Sequence, residues 1–200
     1  MSTPVRLLES LPALSGNQKK FITGLHRKKN RLTRGCYLVE GQRLLLAALK
    51  SRVTLRTVVL CPGLIRHLPD EIRLLLSRRS IPVFHTDENT FRTLADTESP
   101  AGFLAVATLP PFHEVRDLSP APVLYLDSLR DPGNCGTLLR TAAWLGWKQV
   151  VAGPGTADLF QPKVVRGGMG AHFELEFYQL PPDQLGRPYY FLAADQRGEP

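Results

Sequence analysis

The residues best suited to chemistry lie in one short run. Asp131-Pro132-Gly133-Asn134-Cys135-Gly136 leads on to Arg140 and follows the apolar segment Val123–Leu126. This order reads as a strand, a tight turn set by Pro132-Gly133, and a helix entered through Asn134. Free amides at such a helix start, with the helix dipole behind them, can receive an anion. Gly136 lets backbone or ligand approach closely at the first turn. Arg140 follows Asn134 by about 1.7 turns and can lean back toward the helix start. Its fork of donors suits phosphate oxygens. Taken singly, each residue also has a plain structural role, as turn, cap or surface arginine. A P-loop is excluded, because no Gly-Lys-Ser/Thr follows. Gly167-Gly168-Met169-Gly170 lacks the spacing of a dinucleotide fingerprint.

Several elements must position this run. Asn134 to Leu145 is expected to be a helix between strands Val123–Leu126 and Gln149–Ala152, a βαβ unit with a parallel pair. Pro162 to Met169 reads as helical, and Phe173–Tyr178 and Tyr189–Ala194 as extended. Upstream, helices are expected over Asn17–His26, Gln42–Lys50, Asp70–Arg79 (Asp70 as N-cap) and Asp87–Ala95. Strands are expected over Tyr37–Val39, Val53–Leu60, Pro82–His85 and Gly102–Thr108. The organisation is therefore a small α/β layer domain over residues 1–108, a proline-rich linker over 109–122 and a second α/β module over 123–200.

Charge divides along the same line. Residues 1–110 hold 17 Lys+Arg against 8 Asp+Glu, and residues 111–200 hold 8 against 10. The +9 half suits a polyanion such as RNA or DNA. The excess is densest at Lys19, Lys20, Arg27, Lys28, Lys29, Arg31 and Arg34, a stretch without one acid. The competing reading is a solvated helix face with a basic loop. No apolar run is long enough to span a membrane, and no secretory signal opens the chain. Cys36, Cys61 and Cys135 are widely spaced, which fits reduced thiols in a cytoplasmic protein and no metal site.

Together these residues resemble a known family. The run D-P-G-N-x-G-x-x-x-R from Asp131 to Arg140, followed by Thr141-Ala142, resembles the first signature motif of the SpoU (TrmH-like) RNA 2'-O-ribose methyltransferases of the SPOUT superfamily. Gln161 to Ala171 is similar to that family's P-K-x-x-R-x-S-x-G-A segment, with Gly168 where serine is usual. Asn17 through Arg31 and Tyr37-Leu38-Val39-Glu40-Gly41 resemble its N-terminal L30e-like substrate-binding domain, and Thr97 to Gly102 the entry to that domain's last strand.

The resemblance implies an L30e-like domain followed by an incomplete SPOUT domain of the trefoil-knot, parallel-sheet type. It implies S-adenosylmethionine-dependent methylation of a ribose 2'-hydroxyl in rRNA or tRNA, without a metal, and a homodimer for a complete form. Arg140 is then the catalytic arginine, either helping to deprotonate the hydroxyl or holding the adjacent phosphate, and its guanidinium fork favours the phosphate. Asn134 shapes the same site, Gly136 keeps it open, and Gly133, Glu40 and Gly170 shape the motifs. The family's Gly-rich loop and I-P-M segment, which form its donor pocket, do not occur before Pro200. The 200-residue chain alone is therefore expected to be incompetent in methyl transfer. The alternatives are a non-catalytic RNA-binding protein that keeps the basic first domain, and an unrelated small-molecule α/β enzyme.

Overall fold

A computed structural model describes residues 10–185 together with residues 8, 189, 192 and 193. Of the expected strand Tyr189–Ala194, residues 190, 191 and 194 lie outside the described residues, and residues 189, 192 and 193 are in no strand. The first helix, α1 (Gly16–Gly24), starts with a capping box in which Ser15 and Gln18 exchange side-chain and backbone hydrogen bonds. Next comes α2 (Lys28–Arg34), which ends at Gly35 with φ +60°. Charge alone leaves this stretch open between a nucleic-acid-binding face and a solvated helix face with a basic loop, and residues 28–34 are helical. There follow β1 (Cys36–Glu40), α3 (Gln42–Lys50), β2 (Leu55–Leu60), α4 (Asp70–Arg78), β3 (Val83–His85), α5 (Glu88–Leu94) and β4 (Phe103–Thr108). Pro69, not Asp70, is the N-cap of α4, whereas Asp87 does cap α5 through the amide of Thr90.

The first sheet has the order β1-β4-β2-β3, with β4 antiparallel to both neighbours and β3 parallel to β2. Its strands alternate between two cores, as side chains of period two must. Tyr37, Val39, Ala105, Val58 and Leu60 face one side, with Leu45 and Ala48 of α3. Leu38, Val59, Leu104 and Val106 face the other, with Ile22 of α1 and Phe91 of α5.

The second sheet is parallel throughout. It comprises β5 (Val123–Leu126), β6 (Gln149–Ala152) and β7 (Glu176–Gln179) in that order. The crossover from β5 to β6 is α6 (Pro132–Trp144), and α7 (Pro162–Gly167) precedes β7. The βαβ unit is thus present as expected. Residues 109–122 are pinned to the sheet. The His113 amide donates to Phe177 O at 2.8 Å, and Gln149 exchanges two hydrogen bonds with the Ser119 backbone.

One core runs through both modules. The Tyr37 ring of β1 meets Phe160 edge-on at 5.1 Å, and Phe160 packs on Phe177 at 4.8 Å. His172 is buried against Phe160 and Phe177, with Nε2 2.7 Å from Leu159 O. Burial away from water pushes its pKa down from 6.5 to about 4. The unfolded chain then takes up a proton below pH 6.5 that the folded chain refuses. Stability is complete above that pH and falls as pH drops toward 4, by about 2 kcal/mol at pH 5. Thermal unfolding of a His172→Leu variant, compared with the parent at pH 7 and pH 5, checks this, since the variant loses the pH-dependent part.

Candidate active site and its bridge to the first module

The helix α6 begins earlier than its sequence suggests. Asp131 is the N-cap, its Oδ1 accepting from the Asn134 amide at 2.7 Å, and Pro132 occupies the first turn. Proline suits that position because its missing N–H would be unpaired there anyway. Pro132-Gly133 therefore lies in the helix and does not form the turn before it, and Asn134 is the third helical residue, not the cap. The Asn134 side chain is exposed.

Gly136 admits backbone, one of the two close approaches expected of it. A Cβ at this residue would stand 2.7 Å from Gly167 Cα and 2.8 Å from Gly167 C. The glycine leaves room for the backbone of α7, and no open space remains beside it for a ligand. Backbone cannot swing aside as a side chain can, so Gly136→Ala is expected to cost about 1–3 kcal/mol. That corresponds to a fall in thermal midpoint of roughly 2–4 °C per kcal/mol. An unchanged midpoint would contradict the close crossing of α6 and α7.

Arg140 is exposed on α6. It borders a recess of about 250 Å³ shared with Trp144, Met169, Gly170 and Phe173, closed on the first-module side by Ala47 and Ser51. Asn134 does not border this recess, so the structure does not bring the two residues together there. Gly170 holds φ +103°, a left-handed conformation that side chains strain. A Cβ at Gly168 would sit 2.7 Å from His172 Nδ1, which explains why the serine position of the motif holds glycine here.

Two ion-pair clusters tie this region to the first module. Glu40, 6% exposed, accepts from the Asp96 amide at 2.8 Å and from the Thr97 hydroxyl. Arg166 of α7 donates to Asp96 Oδ2 at 2.7 Å and lies 3.7 Å from Glu40 Oε2. The second cluster centres on Arg31, only 3% exposed. It donates to the carbonyls of Leu25 and His26 at 2.7 and 2.8 Å and pairs with Asp158. A side chain so enclosed cannot grip a phosphate, so Arg31 leaves the set of nucleic-acid contacts.

The other basic residues divide. Lys19 donates to the Thr90 hydroxyl at 3.2 Å, and Arg34 lies over the Phe21 ring at 4.7 Å while donating to Phe21 O. Lys20, Arg27, Lys28 and Lys29 are exposed. Sequence reading singled out none of Arg166, Asp96 and Asp158 as site residues. Their signal was pairing across roughly 70 to 130 positions of chain, which spacing does not reveal.

Two family models match the chain. The MRM3-like substrate binding domain matches residues 17–105, and the SpoU rRNA Methylase family matches residues 121–183. Residues 121–183 belong to the SpoU rRNA methylase family. The chain is 35% identical over 154 residues to the 23S rRNA (guanosine(2553)-2'-O)-methyltransferase of Bacillus subtilis, covering 76% of itself and 57% of that protein. It is 33% identical over 174 residues to the mitochondrial rRNA methyltransferase 3 of Xenopus laevis, covering 82% and 40%. The AdoMet-bound rRNA methyltransferase of Sinorhizobium meliloti superposes with a TM-score of 0.71 at 25% identity, over 86% of this chain and 65% of that chain. The chain thus spans between two fifths and two thirds of the length of these relatives.

The carboxyl ends of β5 and β6 are the usual ligand edge of a parallel sheet. Here the Gly153 amide and the Thr156 hydroxyl both donate to Leu126 O at 2.9 and 2.7 Å, and Ala152, Gly153, Gly155, Thr156 and Gln179 border a cleft. This cleft of about 360 Å³ has the charged Arg31–Asp158 pair in its wall. No donor contact is assigned, and no group of His, Cys, Asp and Glu among the described residues could hold a metal ion.

Proposed function

We propose that this chain forms the RNA-binding module and the first part of the catalytic module of an rRNA 2'-O-ribose methyltransferase that uses S-adenosylmethionine. One observation carries the reading. Both family matches fall on one chain, and Arg140 stands in the second of them, exposed beside the first module. Relatives named for rRNA favour rRNA over tRNA as the substrate.

The work of this chain's own residues is positioning. Arg140 grips the phosphate next to the target ribose with its guanidinium fork, which fixes the 2'-hydroxyl. Gly136 and Gly167 let α6 and α7 cross closely, and Arg166 carries that pair onto Glu40 and Asp96. The donor supplies an electrophilic methyl group when bound. Lys20, Arg27, Lys28 and Lys29 attract the RNA from a distance. Homodimerisation of the whole protein is part of the proposal, supported by Leu138, Trp144 and Leu145 standing 38%, 83% and 51% exposed at the end of α6. So is a cytoplasmic setting. Among the described residues, no helix is long and apolar enough to cross a membrane.

The test is methyl transfer by the whole protein from labelled S-adenosylmethionine to a 23S rRNA transcript, followed by alkaline hydrolysis. A 2'-O-methyl group blocks cleavage at its own linkage, so label in an alkali-resistant dinucleotide supports the reading. RNA binding without transfer would favour a non-catalytic RNA-binding protein.

A further inference from the structure

We infer that a groove on the first module, bordered by Gln42, Arg66, His67, Arg92 and Ser99, grips the sugar-phosphate backbone of the RNA. The inference rests on the RNA reading above and gives it a surface separate from the basic stretch at residues 19–34. The groove has a volume of about 610 Å³, and no acidic residue is part of its lining, although the Glu88 carboxylate stands against the lining residue Gly63. Two guanidinium groups, an imidazole, a carboxamide and a hydroxyl line one channel. Such a set offers donors at several angles to phosphate oxygens and ribose hydroxyls. No exposed aromatic ring is among them, so base stacking is not what the channel offers.

The groove is built by the fold. After β2 the chain runs Leu64-Ile65-Arg66-His67-Leu68, and burial of Ile65 and Leu68 at 4% and 5% exposure turns Arg66 and His67 outward. Gly102 holds φ +83°, and a Cβ there would meet Ile65 Cγ1 at 2.8 Å and Cys61 O at 3.0 Å, so the opposite wall packs hard against this loop. That wall, Ser99 to Ala101, continues from Asp96 and Thr97, which Glu40 holds by two hydrogen bonds. Gln42 opens α3, whose first turn has no side-chain cap. Arg92 has one acidic neighbour, Glu88 at 3.9 Å on its own helix. Its charge is mostly free for a ligand at that separation in water.

RNA is the occupant that the charge favours. The +9 first half would repel a cationic partner and draw a polyanion, and a repeating phosphate chain can occupy both arginines at once. The placement also has a consequence for the reaction. The groove wall is tied through Asp96 to Arg166, and α7 crosses α6 at Gly136 and Gly167. A strand held in the groove is therefore held in fixed relation to Arg140.

The experiment is filter binding of the whole protein to a 23S rRNA transcript across about 50 to 200 mM salt. Three variants are compared with the parent: Arg66→Ala with Arg92→Ala, Lys28→Ala with Lys29→Ala, and Ser99→Trp. The arginine pair is expected to weaken binding roughly tenfold and to lower the salt slope by about 1.4–1.8, two phosphate contacts' worth. The loss should be the same on an unrelated RNA, because phosphates carry no sequence. Ser99→Trp fills the groove without touching charge and is expected to weaken binding with little change in slope. All these side chains are exposed, so the thermal midpoint should hold. Parent-like binding by both groove variants, beside a weakened Lys28/Lys29 variant, overturns the groove and leaves the RNA reading intact. A parent that does not bind the transcript at all overturns both.

Discussion

Replacing Arg140 by alanine in the whole protein is expected to lower methyl transfer about 100- to 1,000-fold and to leave affinity for S-adenosylmethionine within about twofold. The size follows from the role. A charged donor aimed at the reacting region of an RNA is worth this much where it aligns and stabilises, and Arg140 is exposed at a recess, with no hydrogen bond or ion pair to another described residue. A guanidinium does not give up its proton in a protein, so the residue acts as a clamp and not as a base. Arg140→Lys keeps the charge and loses the fork, and is expected to recover part of the rate. The thermal midpoint should not move in either variant. Equal loss of donor affinity and rate would mean that Arg140 belongs to the donor pocket, and the phosphate role would fall.

The second large effect is on stability. Asp158→Ala removes the carboxylate partner of Arg31, whose side chain is 3% exposed, while the Asp158 side chain is 17% exposed. The guanidinium would keep its bonds to the Leu25 and His26 carbonyls but lose its counter-charge. Breaking a buried pair on one side costs about 3–5 kcal/mol. For a chain of this size that lowers the thermal midpoint by roughly 6–20 °C. The alanine at Arg31 leaves only the better-solvated carboxylate behind, so its cost should be smaller. A double-mutant cycle of the two separates their coupling from the packing lost with each side chain. Equal and small costs would place the pair among ordinary surface contacts.

Much of this architecture is legible in the sequence, and the reasons are local. The βαβ unit announces itself because Val123–Leu126 and Gln149–Ala152 are short apolar runs separated by a helix-length segment, and both strand ranges match the structure. The α3 range matches as well, since Leu44, Leu45, Ala48 and Leu49 repeat at helical spacing. What stayed hidden is tertiary. Arg31 sits in a run of six other cations, and composition cannot show that one of the seven turns inward to an aspartate 127 positions away. Spacing leaves open whether Gly136 admits backbone or a ligand, because its partner, Gly167, lies on another helix.

One miss was avoidable. Asp131 precedes Pro132, and an acid followed by proline is a known helix start, yet the cap was placed at Asn134. The family motif pointed to Arg140 and to Gly170 by type and order. It could not say that Arg166, quoted in the same motif, reaches into the first module.

The central claim is that this chain serves the methylation of a ribose in rRNA, with Arg140 at the reacting centre. It is tested most directly by mapping 2'-O-methyl groups across the rRNA of the source cells. Cells lacking the gene, and lacking-gene cells that carry either the parent or the Arg140→Ala form, are compared. The account predicts that one methyl group disappears with the gene, returns with the parent and does not return with Arg140→Ala at equal protein level. An unchanged methylation map in cells lacking the gene would contradict it.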